Sequence, residues 1–446
     1  MQFSIPELDA IGQQLIRIPS EVDVPVTRRV LEIIDTPPMQ RLRHISQLGL
    51  VSYIYPGAVH SRFEHSLGVY RLACLALRHL LSAEPQFAEQ ATETELKTFL
   101  LAALLHDIGH WPFCHAIEDL RLAEFPSHEA VARSLICNSP LADVIESQWS
   151  VAPSAVAELI ASTRTSGAEP TVLRNLLSGP VDIDKMDYLQ RDSLHAGVPY
   201  GRNFDLSRLI ASLCVGEDGK SIAITEKGKT AAEMMVFARY VMFSEVYWHH
   251  TVRSATAMLQ RLVHSQRESF STQEWLTQTE VDFSNQLLSL AATDPNSSRL
   301  ANSLFGRERR LYKRLAQYTL SDSPDVFAAV ARRPYAELVD LSDALAAQLS
   351  MGLSPALQPG ELIIDAPPVK LEVQFKVDVR QSGHGDLASG FARLSDISPV
   401  VRALATEQFD SFVKRVRIFV APQRAEELQV TPLEITDALL ALASDF

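Results

Sequence analysis

His106 and Asp107 follow directly after an apolar run at 100–105 that has the composition of a buried helix. Taking an imidazole and a carboxylate out of water costs free energy unless a partner compensates them, and an ionised group costs the most. A divalent cation compensates both groups, because it binds the imidazole nitrogen and the carboxylate oxygen directly. The pair is therefore a candidate metal site, and an ordinary helix end that carries a His and an Asp is the alternative.

Two other stretches offer further ligands. His65 lies near the start of a segment whose apolar residues recur at helical spacing, where a histidine is a core residue more often than a ligand. Asp184 begins a polar face at helical spacing within residues 181–192, opposite an apolar face, so that its carboxylate could line a cleft. A solvated face with salt bridges is the alternative for this second stretch.

The hydropathy pattern indicates the elements that must position these candidates. A helix at 64–81 carries His65, a helix at 94–107 ends at the His-Asp pair, and a helix at 182–192 carries Asp184. Further helices are predicted at 27–34, 37–48, 115–123, 128–137, 140–147 and 153–161, one or two within 227–263, a basic one at 307–318 and two within 324–350. Strands are predicted at 51–55, 361–365, 371–377 and 415–420, with a hairpin around 216–220.

The composition is typical of a globular protein, since 46% of the 446 residues are hydrophobic and 21% are charged. No apolar run reaches the ~18–20 residues that span a bilayer, the N-terminus lacks the features of a signal peptide, and the four cysteines include no CxxC pair. A cytoplasmic protein without a membrane segment is therefore expected. The net charge of −13 does not favour a nucleic-acid partner, because that affinity depends mainly on Lys and Arg.

The pattern predicts a mainly α-helical fold, with a helical bundle as its core and a small α+β lobe at its C-terminal end. After residue 355 the helical spacing gives way to short runs that resemble strands, and the alternation at 371–377 is typical of a half-exposed sheet. We therefore predict an N-terminal segment at 1–26, a helical domain at 27–355 and an α+β lobe at 356–446.

His65, His106, Asp107 and Asp184, in this order, resemble the H…HD…D signature of the HD-domain phosphohydrolases. The likeness is greatest to the branch that contains deoxynucleoside triphosphate triphosphohydrolases, covers residues 27–320 and implies an HD-domain helical core. Further matching motifs are Gln40-Arg41-Leu42-Arg43, Gln47-Leu48-Gly49, Tyr55-Pro56-Gly57-Ala58, Arg62-Phe63-Glu64-His65-Ser66-Leu67-Gly68, Leu105-His106-Asp107-Ile108-Gly109-His110 and Asp184-Lys185-Met186-Asp187-Tyr188.

The resemblance implies a role for each matching residue. It assigns the metal ligands to His65, His106, Asp107 and Asp184, and the catalytic residues to His128, His110 and Glu118. The substrate-binding residues that it implies are Arg62, Lys185 and Arg239 for the triphosphate, Tyr188 and Asp192 for the sugar, Gln47 and Tyr247 for the nucleoside, and His115 beside them. His115 could instead join a second metal ion.

The implied reaction splits a deoxynucleoside triphosphate into nucleoside and inorganic triphosphate, while His128 protonates the 5′-oxygen. A divalent metal and several cations agree with phosphoryl chemistry, which relies on positioning and electrostatics. Two His and two Asp suit Mn, Fe, Zn, Co, Ni or Mg. Two alternatives are open, namely a phosphohydrolase for another nucleotide or a single-stranded nucleic-acid phosphoester, and a nucleotide-sensing protein. By resemblance, a homo-oligomer, either a dimer or a tetramer, is also expected.

Two positions depart from the family pattern. Residues 18–22 replace the Asp-Pro-x-His-Gly turn of the regulated members, although Asp35, Gln40 and Arg43 match residues that bind an activating guanine nucleotide. Trp111 stands where the family commonly has glycine, and its indole is expected to narrow the substrate pocket. The basic run at 307–314 is interpreted as a solvated helix face, with a regulatory nucleotide or nucleic-acid site as the alternative.

Overall fold

The computed structural model describes residues 3–9, 14–20, 22–138, 140–161, 171–270, 275–367, 376–382, 390–404 and 413–444. Helices dominate these residues and the sheets are few and small, so that the predicted mainly α-helical class is confirmed. In the described part of the chain, no helix has both the length and the apolar composition needed to cross a lipid bilayer.

The helices follow one another along most of the chain. Those before residue 200 are α1 (Arg28–Ile34), α2 (Pro37–Arg41), α3 (Arg62–Ala83), α4 (Pro85–Gln90), α5 (Glu93–Leu105), α6 (Cys114–Glu118), α7 (His128–Asn138), α8 (Pro140–Val144), α9 (Pro153–Ile160), α10 (Val172–Ser178) and α11 (Ile183–Ala196). Those after residue 200 are α12 (Leu206–Ile210), α13 (Lys229–Met242), α14 (His250–Gln266), α15 (Glu280–Ala291), α16 (Pro295–Phe305), α17 (Pro324–Val330), α18 (Tyr335–Leu349), α19 (Leu394–Ile397), α20 (Pro399–Ala403), α21 (Pro422–Ala425) and α22 (Pro432–Ala443). Short 3-10 helices lie at Pro6–Leu8, Leu42–His44, Gly49–Tyr53, Tyr200–Arg202, Glu226–Gly228, Arg267–Ser269 and Trp275–Thr277, and π-helical turns lie at Ile145–Trp149 and Phe243–Tyr247.

The described strands form three small sheets. The strands are β1 (Gln14–Ile18), β2 (Val22–Val26), β3 (Leu213–Val215), β4 (Ile222–Thr225), β5 (Lys313–Tyr318), β6 (Leu362–Asp365), β7 (Asp378–Gln381), β8 (Gly390–Arg393) and β9 (Val416–Val420). Strands β1 and β2 pair as an antiparallel hairpin. The predicted hairpin β3–β4 is extended by β7, which runs parallel to β4, and then by β8. Strand β9 lies between β5 and β6, antiparallel to both.

The chain divides into two compact units, each built from separate stretches of sequence. The first unit consists of Met1–His110, Ser127–Met242 and Gln374–Thr406, and the second of Trp111–Pro126, Phe243–Val373 and Glu407–Phe446. The division arises because strands from distant parts of the chain complete a sheet in each unit. The domain boundaries predicted after residues 26 and 355 stay a prediction.

Helices α3, α5 and α11 form the part of the first unit that positions the candidate site. Helix α3 packs against both of the others. Residues 99–105 of α5 are fully buried, because this apolar run has no polar face. Helix α3 begins where the Ser61 side chain accepts a hydrogen bond from the Glu64 amide, and Asp182 caps α11 in the same way. Gly197 ends α11 with a φ of 70°, a backbone conformation that favours glycine.

The second unit contains one of the three sheets. The sheet formed by β5, β9 and β6 packs against α18 and α22 through buried aliphatic side chains. All five residues of β9 are buried, as expected for a central strand that is covered on both faces. Burial of this apolar surface is the main source of stability for a sheet of only three strands.

Three expectations for secondary structure need correction or fall outside the described residues. The helix predicted at 307–318 is wrong, because residues 313–318 form β5 and pair with β9. The strand predicted at 51–55 is also wrong, since Gly49 has a φ of 51° and begins a 3-10 helix. Most of the strand predicted at 371–377 lies outside the described residues, and β7 begins after it.

Candidate metal centre

Three helices of the first unit bring the four predicted metal ligands together. His65 lies near the start of α3, His106 caps the end of α5, and Asp184 lies in the first turn of α11. His65 Nε2 lies 3.0 Å from Asp184 Oδ1 and 3.2 Å from His106 Nε2. His106 Nε2 lies 3.5 Å from the nearer oxygen of Asp107. Two imidazoles and two carboxylates therefore converge, although they come from three separate parts of the sequence.

The donor set of this cluster fits a divalent cation. His65 Nδ1 donates a hydrogen bond to Asp187, and His106 Nδ1 donates to the carbonyl oxygen of Ala103. With the proton of each neutral imidazole on Nδ1, the two Nε2 lone pairs face each other among carboxylate oxygens. Such an arrangement of electron-rich atoms is unfavourable until a cation joins it, and His, His, Asp, Asp is a common divalent-metal set.

The electrostatics of the cluster depend on its burial. Burial by itself would raise the pKa of Asp107, but the positive charges of His110, Arg62 and His106 hold that pKa well below 3.8. Burial would likewise lower the pKa of His65, whereas the carboxylates of Asp184 and Asp187 raise that pKa to about 10, so that a positive charge at Nε2 is favoured, carried either by a proton or by a bound cation. The ionised forms of Asp107 and Asp184, the two carboxylates predicted to bind the metal, are therefore favoured, and so is a positive charge between them.

Arg62 and His110 contact the same carboxylate from two sides. Arg62 Nη1 donates to Asp107 Oδ2 at 2.8 Å, and His110 Nδ1 lies 3.1 Å from Asp107 Oδ1. The imidazole of His128 stacks on that of His110 with ring centroids 4.2 Å apart. Two of the three predicted catalytic residues, His110 and His128, therefore lie beside the cluster. Arg62, which is predicted to bind the triphosphate, lies there as well.

Gly109 allows the start of helix α7 to lie against the segment that carries His110. A Cβ atom at Gly109 would lie 2.1 Å from the carbonyl oxygen of His128 and 2.4 Å from the amide nitrogen of Ala132. Both are backbone atoms, so that the start of α7 would have to move as a whole. The glycine therefore determines how near His128 can approach His110.

We expect Gly109→Ala to destabilise the protein by roughly 1–3 kcal/mol, because an added methyl group overpacks this contact. Displacement of His128 should also lower any hydrolytic activity. Urea denaturation measures the first effect and a phosphohydrolase assay the second. Gly390→Ala is the matched control, since nothing lies within 4 Å of a Cβ at that position. Equal stability of the two variants would contradict the packing at Gly109.

The segment before α3 brings Gln47, which is predicted to bind the nucleoside, to the same region. The Gln47 amide donates to the carbonyl oxygen of His60, and the Arg62 amide donates to that of Ile45. Gln47 Oε1, His60 Nδ1 and Arg62 Nε are buried, and none has a hydrogen-bond partner among the described residues. Unsatisfied buried polar atoms cost free energy, so that a polar ligand would be stabilised here.

The remaining predicted substrate residues of the first unit lie on α11 and α13. Asp192 accepts a hydrogen bond from His60 Nε2 at 2.8 Å, while Lys185 Nζ donates to Asp182 and to the Gly179 carbonyl oxygen. Burial raises the pKa of the Tyr188 hydroxyl, and the charge of Arg239 acts in the opposite direction. Arg239 is partly buried on α13, near enough to Tyr188 for its charge to affect that hydroxyl.

The other predicted site residues belong to the second unit. His115 Nδ1 lies 3.8 Å from Glu118 Oε2 within α6, and the Tyr247 ring contacts Phe243. Their participation in the metal centre stays a prediction. Trp111 is fully buried and stacks on Phe125 in the core of this unit, and its effect on substrate choice stays a prediction as well.

Several polar residues of the site were not assigned a role from the sequence. His60 holds Asp192, and Asp187 holds His65, while His195 contacts Glu64 and stacks on His60 with ring centroids 4.3 Å apart. Asp187 shares a polar face with Asp184, which was a signal in the sequence. For His60 and His195 the spacing gave no signal, because their partners are more than 100 residues away.

Comparison with known proteins identifies the family of the chain. The sequence profile of the HD domain matches residues 62–192, and that of the HD-associated region matches residues 204–436. A Bacillus subtilis protein, YwfO, described as uncharacterized, is 36% identical over 54% of this chain and 52% of its own length. The deoxynucleoside triphosphate triphosphohydrolase SAMHD1 of Gallus gallus is 32% identical over 49% of this chain and 40% of its own. The crystal structure of a phosphohydrolase from Bacteroides thetaiotaomicron has a TM-score of 0.66 and 22% identity, and covers 92% of this chain and all of that one.

The chain therefore belongs to the HD-domain family, with an HD domain followed by an HD-associated region. This confirms the family that the ordered motifs indicated. The structural likeness to the Bacteroides thetaiotaomicron protein shows the shared fold. The chain spans about half the length of the curated relatives that it matches, so that their activities are a basis for a proposal about this protein.

Proposed function

We propose that this protein is a metal-dependent phosphohydrolase that converts a deoxynucleoside triphosphate into a deoxynucleoside and inorganic triphosphate. The observation that carries the proposal is the convergence of four metal-ligand side chains with Arg62, whose buried Nε has no partner among the described residues. The relatives named as deoxynucleoside triphosphate triphosphohydrolases support the choice of substrate.

The residues present fit a divalent metal held by His65, His106, Asp107 and Asp184. When bound, such an ion polarises phosphoryl oxygens and lowers the pKa of a coordinated water. Arg62 donates from Nη1 to Asp107, and its Nε can donate to a phosphate oxygen. Lys185 and Arg239 would add further positive charge, which stabilises a transition state whose negative charge is spread over phosphoryl oxygens.

The proton transfer is assigned to His128. A water molecule attacks the α-phosphorus and releases one proton to the solvent, the bond between this phosphorus and O5′ breaks, and His128 donates a proton to O5′ as the nucleoside leaves. His110 stacks on His128 and contacts Asp107, so that it holds the acid at the edge of the metal cluster. On the nucleoside side, Gln47, His60 and Asp192 offer acceptors and donors for sugar hydroxyls and the base.

The purified protein should release nucleoside and inorganic triphosphate from at least one of the four deoxynucleoside triphosphates in the presence of Mn²⁺ or Mg²⁺. Ion-exchange chromatography identifies the products, and EDTA should abolish their formation because the ligand set requires a metal. Release of a nucleoside monophosphate with pyrophosphate would show that the protein cleaves a different bond and has a different phosphohydrolase activity. If none of the four is hydrolysed with any divalent metal, the proposed substrate is wrong.

A homo-oligomer is part of the same proposal, as a dimer or a tetramer. Light scattering of the purified chain measures its mass directly, with and without nucleotide. A monomer under both conditions would contradict this expectation.

A further inference from the structure

One side chain outside the four metal ligands controls the orientation of His65. Asp187 Oδ2 accepts the hydrogen bond from His65 Nδ1 at 2.8 Å, and both side chains are buried, His65 to 1% exposure. This contact fixes the proton on Nδ1 and leaves the Nε2 lone pair directed toward Asp184 and His106. A carboxylate that binds the far nitrogen of a ligating histidine fixes its ring orientation and raises its basicity.

Asp187 is itself held in place on both oxygens. Arg191, one turn later on α11, donates from Nε to Oδ2 and from Nη2 to Oδ1, each at 2.8 Å. The third nitrogen of the guanidinium donates to Glu64 Oε1 at 2.6 Å. The planar fork of an arginine determines the plane of a bidentate carboxylate. The side chain of Asp187 therefore has little freedom to rotate away from His65.

Gly68 provides the space that this arrangement needs. It lies on α3 three residues after His65, and a Cβ atom there would be 2.0 Å from Asp187 Oδ1 and 2.4 Å from Arg191 Nη2. Glycine inside a helix costs roughly 0.5–1 kcal/mol relative to alanine, so that its presence in the 22-residue α3 has a packing reason. The reason here is the close approach of the Asp187–Arg191 pair to the helix that carries His65.

We propose that Asp187 is a positioning residue for the metal centre, which acts through His65, and that Gly68 is the position on α3 that admits it. The proposal rests on the proposed metal-dependent function. It predicts that metal affinity depends on two residues that do not contact the metal. A purely structural ion pair between Asp187 and Arg191 would affect folding stability and leave metal affinity unchanged.

Two variants test this proposal in the full-length chain. Asp187→Asn keeps the size of the side chain and removes its charge, and Gly68→Ala moves the carboxylate without changing any charge. Titration of each folded protein with Mn²⁺ by calorimetry should show an affinity about 10–100-fold below that of the wild type. The visible absorption spectrum of the Co²⁺ form should change as well, since it reports on ligand geometry. Asp343→Asn is the matched control, because that carboxylate also accepts a hydrogen bond from an arginine, Arg261, but in the second unit.

The outcomes separate the two proposals. Wild-type affinity and an unchanged Co²⁺ spectrum in a folded Asp187→Asn protein would overturn the positioning role. If Gly68→Ala does not fold, the Asn variant alone decides, since it adds no atoms to the contact. A wild type that binds neither Mn²⁺ nor Co²⁺ would overturn the proposed function itself, whatever the variants do.

Discussion

Asp107→Asn should lower the rate of nucleotide hydrolysis by about a thousandfold or more. In the proposed function the ionised carboxylate of Asp107 is one of the metal ligands, and a neutral amide is a much weaker one. Loss of about 4 kcal/mol of transition-state stabilisation, within the several kcal/mol that a catalytic metal contributes, corresponds to this factor. The amide oxygen can still accept the hydrogen bond from Arg62, so that the fold should survive the change.

The measurement combines steady-state hydrolysis with metal analysis of the purified variant. Metal content and rate should fall together, while the circular dichroism spectrum stays that of the wild type. Asp340→Asn provides the control, because it makes the same chemical change at an exposed position. A variant at Asp107 that retains both metal and activity would remove this residue from the ligand set.

The second large effect concerns the stability of the second unit. Arg253 and Asp365 form a buried, bidentate ion pair, with Nη2 2.5 Å from Oδ1 and Nε 3.1 Å from Oδ2. The two residues are only 7% and 3% exposed. Arg253 also lies over the ring of Trp248, and Asp365 pairs in register with Arg417 of β9.

Asp365→Ala should therefore destabilise the protein by about 3–5 kcal/mol, because it leaves a buried guanidinium without its counter-charge. Arg417 adds to the effect, since burial already lowers its pKa to about 10 and the charge of Asp365 opposes that shift. Urea denaturation measures the free energy of unfolding. Removing both partners in Arg253→Met with Asp365→Leu should recover most of the loss. If the free energy of unfolding of Asp365→Ala lies within about 1 kcal/mol of the wild-type value, water compensates the charge of Arg253 and the expected penalty is wrong.

Much of the helical framework could be predicted from residue patterns. The apolar runs and capping residues gave α3, α5 and α11 nearly at their observed positions, because these helices bury one or all faces and begin at Ser, Thr or Asp. Patterning failed at 307–318, where a run of charged residues has helical composition. Those charges are exposed, and the residues that follow are held as a strand by pairing with β9. Pairing across about 100 residues has no local signal.

By itself, the sequence determined the chemistry that is available. The order His65, His106-Asp107 and Asp184 selected the family, and composition together with helical spacing selected the mainly α-helical class. Only the tertiary structure decided how these groups are held. It alone shows that Asp187 contacts His65, that His60 contacts Asp192, and that Gly68 and Gly109 permit close approach of helices. The physical reason is that ligands are recognised by residue type and local spacing, whereas their supporting contacts are chosen by packing between segments that are remote along the chain.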